Sequence, residues 1–370
     1  GEVDLLMIHN ANPVYSWHAG EELEDAMKEV PLTLYTGSAV NETGKACRFV
    51  APDHHYLEAW GDAEPVGGAY SLQQPVIRPL YQTRAFQDSL LTWMEASEAY
   101  DDYLRTYWQE EIYPLSGSTK PFASWWNQHL QEGTFLSEKG DRGITIAIGA
   151  PGFSLAAEGH GGFSLDLYTP VGVADGRHAN NPWLQELPDP VSKVCWDNYL
   201  AVAVADAREL ELKDEDLVEV LGMEIPVLVQ AGQARETVSL ALGYGRKVAG
   251  KVADGRGINA YRFVPAESRP RKYTRFGVEL KKTGRTYPLA MTQTHHNMEE
   301  RPIVRETTLE AFREDPYAGN HFHLEAESHH QTLYPETGFD GYHWGLVVDL
   351  NKCVACNNCV VSCIAENNIA

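Results

Sequence analysis

Four of the six cysteines in the chain fall close together, as Cys353-Val-Ala-Cys356-Asn-Asn-Cys359-Val-Val-Ser-Cys363. This C-x2-C-x2-C-x3-C spacing is that of iron-sulfur ligation. Tight turns between the first three thiolates let their sulfurs point inward around one cubane, while the fourth, on the start of a following helix, faces a second cluster. Neighbouring thiols at these spacings bridge poorly as disulfides, and only this corner of the chain is cysteine-rich. A four-thiolate zinc site remains an alternative, although such sites more often use two separated cysteine pairs. Ile364, rather than Pro, follows the last cysteine. Cys47 and Cys195 stand alone and read as small buried side chains.

If Cys353, Cys356 and Cys359 hold one cluster and Cys363 belongs to another, each cluster lacks ligands that these 370 residues do not supply. A distant cysteine-rich segment is then required. The other end points the same way: Gly1 leads at once into the apolar run Leu5, Leu6, Met7, Ile8, with no initiator Met and no signal peptide, so the chain reads as a fragment or a processed product.

From Val3 to about Val50 the pattern is strand, turn, helix, strand, which makes a βαβ unit and implies a parallel sheet. In such sheets ligands sit at the carboxyl ends of strands, where Asn10-Ala11-Asn12-Pro13 and Thr36-Gly37-Ser38 fall. Residues 51–65 read as a polar and aromatic loop in which His54 and His55 are solvent-facing or hydrogen-bonded rather than metal ligands. Between Ala85 and Trp108 the positions Leu90, Leu91, Met94, Tyr100, Tyr103, Leu104, Tyr107 and Trp108 recur at helical spacings and predict one amphipathic helix with a core-facing stripe, ended near Pro114. From Phe163 to Val264 short β-like runs separated by glycines suggest a small closed barrel. After Pro265 no periodicity is sustained up to Gly341, and the long connector holds His295, His296, His321, His323, His329 and His330, with His343 just beyond. Their spacings match no specific metal or haem site.

Charge excludes one class of function. The net charge of −22 opposes phosphate neutralisation, so no nucleic-acid partner is expected. No run of about 18 apolar residues occurs, so no direct membrane span is expected and any membrane link goes through a partner.

Longer stretches carry a resemblance. LLMIHNANPVYSW, CRFVAPDHHYLEAWGDAEP and YSLQQPVIRPLYQTRAFQDSLL resemble the later part of a molybdopterin oxidoreductase catalytic domain. DGRHANNPWLQELPDPVSKVCWDNYLAV, LKDEDLVEV, IPVLVQAGQA and VSLALGYGR resemble the molybdopterin dinucleotide-binding barrel of that superfamily. TQTHHNMEERPIVRE and YHWGLVVDLNKCVACNNCVVSCIAENNI look like the junction at which the iron-sulfur protein of bacterial alternative complex III passes from a molybdoenzyme-like half into a ferredoxin-like half.

The resemblance implies an α/β plus β fold in a fixed order. A Rossmann-like molybdopterin oxidoreductase portion (1–118) is followed by an insertion or linker (119–162) and a six-stranded double-psi-type dinucleotide-binding-like β-barrel (163–264). A connector (265–341) then leads to the start of a 4Fe-4S ferredoxin-type domain (342–370). It further implies an iron-sulfur electron-transfer subunit of a membrane-bound quinol:acceptor oxidoreductase, peripheral on the periplasmic face of the bacterial inner membrane. The partners implied are a multihaem cytochrome c subunit and polytopic quinol-binding membrane subunits. The implied cofactors are 4Fe-4S clusters, with a 3Fe-4S cluster also allowed in the full-length protein, and no molybdopterin. Cys353, Cys356, Cys359 and Cys363 carry over as the cluster and metal ligands, and no catalytic residue is nominated. Asn10, Asn12, Asn180, Asn181, Gly243 and Gly245 stand where pterin-binding relatives touch the cofactor and are expected to be structural here. The alternative is a molybdopterin-dependent catalytic subunit, polysulfide or tetrathionate reductase-like, with a fused iron-sulfur module; a third reading is a scaffold whose cofactors are dispensable.

The incomplete ligand set makes a direct prediction. The isolated 370-residue chain should bind iron poorly or partially, and stoichiometric iron and acid-labile sulfide on it would refute the two-cluster reading of the spacing.

Overall fold

The computed structural model describes residues 2–137, 161–266, 272–292, 297–299, 304–319, 340–342 and 344–369. Leu5–His9 forms strand β1, after which Asn10 takes a left-handed backbone (φ 47°) and turns the chain. Pro13 opens the short helix α1 (Pro13–Ser16), where its missing N–H removes no helical hydrogen bond. Helix α2 (Gly20–Lys28) sits so close to α1 that a Cβ on Gly20 would lie 1.9 Å from the Val14 carbonyl oxygen. Strand β2 (Leu32–Gly37) is followed by α3 (Glu42–Ala46), whose first turn is capped by Asn41 Oδ1 accepting from the Gly44 amide at 2.8 Å. With β3 (Phe49–Pro52) these strands make a parallel three-stranded sheet in the order β1-β2-β3, Leu5 opposite Leu32 and Leu34 opposite Phe49. This is the expected βαβ unit.

A second sheet is antiparallel, with β4 (Gly61–Val66), β5 (Ala69–Gln73) and, much later in the chain, β6 (Thr134–Leu136). Part of the stretch read as a loop is therefore strand β4. The single helix expected from Ala85 to Trp108 is instead two, α4 (Phe86–Trp93) and α5 (Tyr100–Tyr107), because Glu95 just past α4 adopts a left-handed backbone (φ 59°). The break re-phases the stripe. Leu91, Leu104 and Trp108 are buried, whereas Leu90, Met94, Tyr103 and Tyr107 are exposed. After α5 the chain tightens through a π-type turn (Trp108–Ile112) and a 3-10 turn, ending at Gly117 in the left-handed region near Pro114. Helix α6 (Phe122–Glu132) lies within the stretch read as insertion or linker. It brings Trp125 and Trp126 onto Trp108, Leu72 and Phe135 to form an aromatic core. The Trp108 indole donates to Asp62 Oδ2 at 3.0 Å, so its burial leaves no polar atom unpaired.

The third unit is a curled sheet. Its strands, in chain order, are β7 (Phe163–Tyr168), β9 (Leu200–Ala203), β10 (Asp216–Val220), β11 (Met223–Gln230), β12 (Thr237–Ala241), β13 (Thr274–Val278) and β14 (Lys281–Thr286), paired in the order β13-β7-β12-β9-β11-β10-β14. The strands at the two ends of this order, β13 and β14, are separated in sequence by only residues 279 and 280. A linker that short spans only about 10 Å. The sheet must therefore curl until its edges approach, which gives it barrel character. It has seven strands where six were expected: five lie within 163–264, and β13 and β14 come from residues read as connector. A two-stranded addition pairs β8 (Val194–Cys195) with β15 (Ala290–Met291). Inward residues alternate along the strands, Leu165 and Leu167 on β7, Val218 and Val220 on β10, Val238 and Leu240 on β12, and all are fully or almost fully buried. Helices α7 (Pro182–Glu186) and α8 (Val204–Glu209) lie between strands of this unit, and α9 (Leu309–Glu314) and α10 (Asn358–Asn367) follow it. The seven histidines singled out in and beside the connector lie outside the described residues.

The corrected helix register is testable by urea unfolding. Leu104→Ala should cost about 2–5 kcal/mol as a cavity in the aromatic core. Met94→Ala, on the same sequence stripe but exposed, should stay within about 0.5 kcal/mol of wild type.

Candidate functional site

The α/β unit and the curled sheet meet chiefly through one buried side chain and one buried ion pair. Tyr15 of α1 is buried within the barrel core, edge-on to Tyr261 at 5.3 Å. Its hydroxyl donates to the Tyr244 carbonyl at 2.7 Å, and its own carbonyl accepts from Asn259 Nδ2 at 3.0 Å. Burial raises the Tyr15 pKa against the opposing pull of Arg246, so the phenol stays protonated. The Arg246 guanidinium lies 4.8 Å from the Tyr15 ring centre and reaches Glu42 of α3 at 2.8 Å, with side chains only 6% and 9% exposed. Burial alone would raise the Glu42 pKa, but hydrogen bonds from Arg246, the Lys247 amide and Asn12, with the Arg246 charge, hold it down at about 2. Arg246 also donates to the carbonyls of Gly176 and Val248. Arg262 and Glu21 form a second, exposed pair across the same boundary. Beside this joint lies a cleft of about 480 Å³, lined by Val14, Glu24, Lys45, Met223, Lys247 and Ile258 among others.

The six asparagines and glycines expected to be structural have local tasks. Asn12 accepts from the amide and hydroxyl of Thr43 at 3.1 and 2.9 Å and donates to Glu42, tying the first turn to α3. Asn10 supplies the left-handed turn after β1. Asn181 caps α7 by accepting from the Trp183 amide, and Asn180 accepts from the Val252 amide. Gly243 and Gly245 have φ of 93° and 69°; a Cβ on Gly245 would sit 2.1 Å from the Asn259 nitrogen. His54 bonds Thr83, and His55 with Glu58 forms a capping box, so the loop histidines are hydrogen-bonded as expected. Cys195 is buried, and burial pushes its thiol up to about 11; Cys47 is half-buried with its thiol also raised by burial. Tyr15, Glu42 and Arg246 carried no signal in the sequence, since Glu42 and Arg246 are 204 residues apart and nothing local pairs them.

All four clustered cysteines are free and exposed. Cys353 and Cys356 lie on a turn whose Ala355 and Asn357 both have left-handed backbones (φ 53° and 58°), flanking Cys356. An Asp349 turn precedes them, its carbonyl accepting from the Cys353 amide at 2.9 Å. Cys359 and Cys363 are one turn apart on α10. Helix α10 lies against α7, and its half-buried stripe Val361, Ile364 and Ala365 is by helical periodicity opposite the two thiols. Cys359 and Cys363 therefore point away from the barrel unit. Asn367 Nδ2 donates to Cys363 Sγ at 3.6 Å and to its carbonyl at 3.0 Å. Among the described residues no three His, Cys, Asp or Glu side chains converge to hold a metal ion. The donor chemistry, four accessible thiols and a hydrogen bond to sulfur, suits an iron-sulfur cluster completed by further thiolates.

No family model matches the chain. Over 284 residues it is 23% identical to the menaquinone reductase molybdopterin-binding-like subunit of Nitratidesulfovibrio vulgaris (strain Hildenborough), covering 72% of this chain and 39% of that protein. A stretch of 27 residues is 63% identical to the menaquinone reductase iron-sulfur cluster-binding subunit of the same organism, covering 7% of this chain and 11% of that subunit. The chain thus spans about two fifths of the longer relative. Among solved structures, acetylene hydratase from Pelobacter acetylenicus shares the fold with a TM-score of 0.52 at 12% identity, over 75% of this chain and 44% of the other. The α/β plus β architecture and the resemblance to a molybdopterin oxidoreductase-like chain joined to an iron-sulfur segment agree with these relatives.

The joint makes a pH prediction. Because the folded Glu42 pKa lies below the unfolded value near 4.3, its contribution is complete above about pH 5 and is lost as the pH falls toward 2. Glu42→Gln should lower stability at pH 7 by about 3 kcal/mol and flatten that acid limb, as read by urea unfolding between pH 2 and 7.

Proposed function

We propose that this chain is part of the iron-sulfur electron-transfer subunit of a membrane-bound quinol:acceptor oxidoreductase complex of the alternative complex III type. One observation carries the reading: a single polypeptide matches two proteins that are separate subunits of a menaquinone reductase in another organism, and it contains four exposed thiols in cluster spacing. Fusion of the two places a molybdopterin oxidoreductase-like body beside an electron-transfer segment. The body would divide near residues 118 and 162, with a double-psi-type barrel extending through β15 and the iron-sulfur portion starting near 342.

In this reading Cys353, Cys356, Cys359 and Cys363 ligate 4Fe-4S clusters, with a 3Fe-4S cluster allowed elsewhere in the full-length protein. Bound clusters supply one-electron carriers at fixed positions. The chain's own contribution is to hold the thiolates, through the left-handed residues at 355 and 357 and the first turns of α10, and to donate a hydrogen bond from Asn367 to the Cys363 sulfur. Such a bond stabilises the more negative thiolate environment of the reduced state and raises the potential. The matched relatives are named reductases, whereas quinol oxidation is proposed here. Cluster chains conduct either way, and the potentials of donor and acceptor set the direction.

Partners in this reading are a multihaem cytochrome c subunit as acceptor and polytopic quinol-binding subunits as donor, on the periplasmic face of the bacterial inner membrane. Among the described residues no helix is long and apolar enough to cross a membrane, in keeping with attachment through such partners. Molybdopterin is absent in this reading.

Metal analysis of the native full-length complex tests this. Iron and sulfide without molybdenum or pterin are expected, and Cys359→Ser with Cys363→Ser should lower quinol oxidation at least about tenfold while the complex still assembles. Undiminished quinol oxidation in that variant would sink the proposal. Extractable molybdenum and pterin would favour the molybdopterin-dependent enzyme instead.

A further inference from the structure

Five donors converge on one carboxylate. Arg246 Nε lies 3.0 and 3.1 Å from the two Glu42 oxygens, and Nη2 lies 2.8 Å from Oε2. The amides of Lys247 and Val248 lie 2.8 and 3.1 Å from Oε1, and Asn12 Nδ2 lies 2.8 Å from Oε2. Four of these five donors belong to three consecutive residues of the barrel unit, 246–248.

The barrel unit holds this loop in shape by itself. Gly245, with its left-handed backbone, donates to the Arg256 carbonyl at 2.7 Å, and the Gly255 amide donates to the Arg246 carbonyl at 3.0 Å. Asp254 Oδ1 accepts from the amides of Ala249 and Gly250 at 2.8 and 3.2 Å. Arg246 Nη1 is anchored on the Gly176 carbonyl, and Nη2 on that of Val248. None of these bonds involves the α/β unit. A guanidinium edge beside two successive amides is a concavity for a planar carboxylate, and it also offers phosphate oxygens a fork and two N–H groups.

We propose that the 246–248 loop is an oxyanion-binding site of the barrel unit in its own right, that Glu42 of the α/β unit is its resident ligand, and that it takes a free carboxylate or phosphate once that side chain is removed. This stands independently of the proposed electron transfer. The cleft of about 480 Å³ is lined by Glu42, Arg246 and Lys247 and gives small anions a route to the site. In the wild-type protein the tethered carboxylate outcompetes dilute free anions by its effective concentration. A tighter ligand bearing such a group would compete with Glu42 and loosen the α/β unit from the barrel, so the joint is also a place where ligand binding and domain coupling meet.

The test is chemical rescue of Glu42→Gly in the 370-residue chain, followed by thermal unfolding in sodium formate, sodium phosphate or sodium chloride at matched ionic strength. Expected is a Tm below wild type that rises saturably with formate or phosphate, by about 2 °C at ten times the Kd, and does not rise with chloride. The stronger of the two anions identifies the preferred source. A rise equal to that in chloride overturns the proposal, as does an undiminished rise in the double variant Glu42→Gly with Arg246→Met, or in Glu42→Gln, whose amide fills the space. Should Glu42→Gly fail to fold in plain buffer, refolding yield is compared in formate and chloride. A higher yield in formate supports the site, and equal yields overturn it.

Discussion

The buried Glu42 and Arg246 pair and the tyrosine beneath it form the centre of the contact between the α/β unit and the curled sheet. Burying both charges costs several kcal/mol per ion before any attraction is counted. The structure offsets this with five donors on the carboxylate, two carbonyls on the guanidinium and an aromatic face at 4.8 Å. Such a pair adds little net stability over an apolar contact, yet it tolerates only one relative placement of its partners. The apolar contribution comes from Tyr15, which the α/β unit inserts into the barrel core while its hydroxyl is satisfied on the Tyr244 carbonyl. Charge fixes the orientation, and the buried ring supplies the area.

The curled sheet provides the other half of that joint, and its central strands β9 and β11 are covered on both sides. Ile225, Val227 and the alternating residues of neighbouring strands fill the interior, while Leu228 turns outward to pack with Val194, Tyr199, Ala201 and Leu289. The outer layer depends on β8 and β15, so residues near 290, just past β14, belong physically to the barrel unit. The aromatic core around Trp108 is assembled in the same way, from β5, α5, α6 and β6. In both cases a late segment returns to close a face that earlier segments leave open.

The cysteine segment is organised differently. It touches the rest of the chain through one side of α10 against α7 and turns Cys359 and Cys363 outward. Holding Ala355 and Asn357 in the left-handed region is costly for Ala and tolerable for Asn. That local arrangement leaves all four thiols exposed, with Cys359 and Cys363 turned away from the body. The joint and the thiols are separate features: one couples two folded units, and the other is an exposed cluster of free cysteines.

Spacing alone made several features legible. The βαβ unit followed from one strand run, a proline turn and a second strand run; the alternating β texture announced a sheet unit; and the close spacing of four cysteines was plain from the chain itself. Each of these depends on periodicity or on neighbours a few residues apart, which is information a sequence carries locally. The break between α4 and α5 was hidden because one left-handed residue, Glu95, re-phases a stripe that reads as continuous. The strands β13 and β14 were hidden because edge strands with exposed residues lack a clean alternation. Glu42, Arg246 and Tyr15 could not be singled out at all, since a charge pair across 204 residues exists only after the chain has brought α3 to the loop at Gly245. The sequence determined the βαβ unit, the β texture of the third unit and the close spacing of four thiols, because backbone sterics and side-chain period act over short range. Only the tertiary structure decided which buried charges face each other and how the two units are joined, because that depends on desolvation and contact between segments that have no local relation.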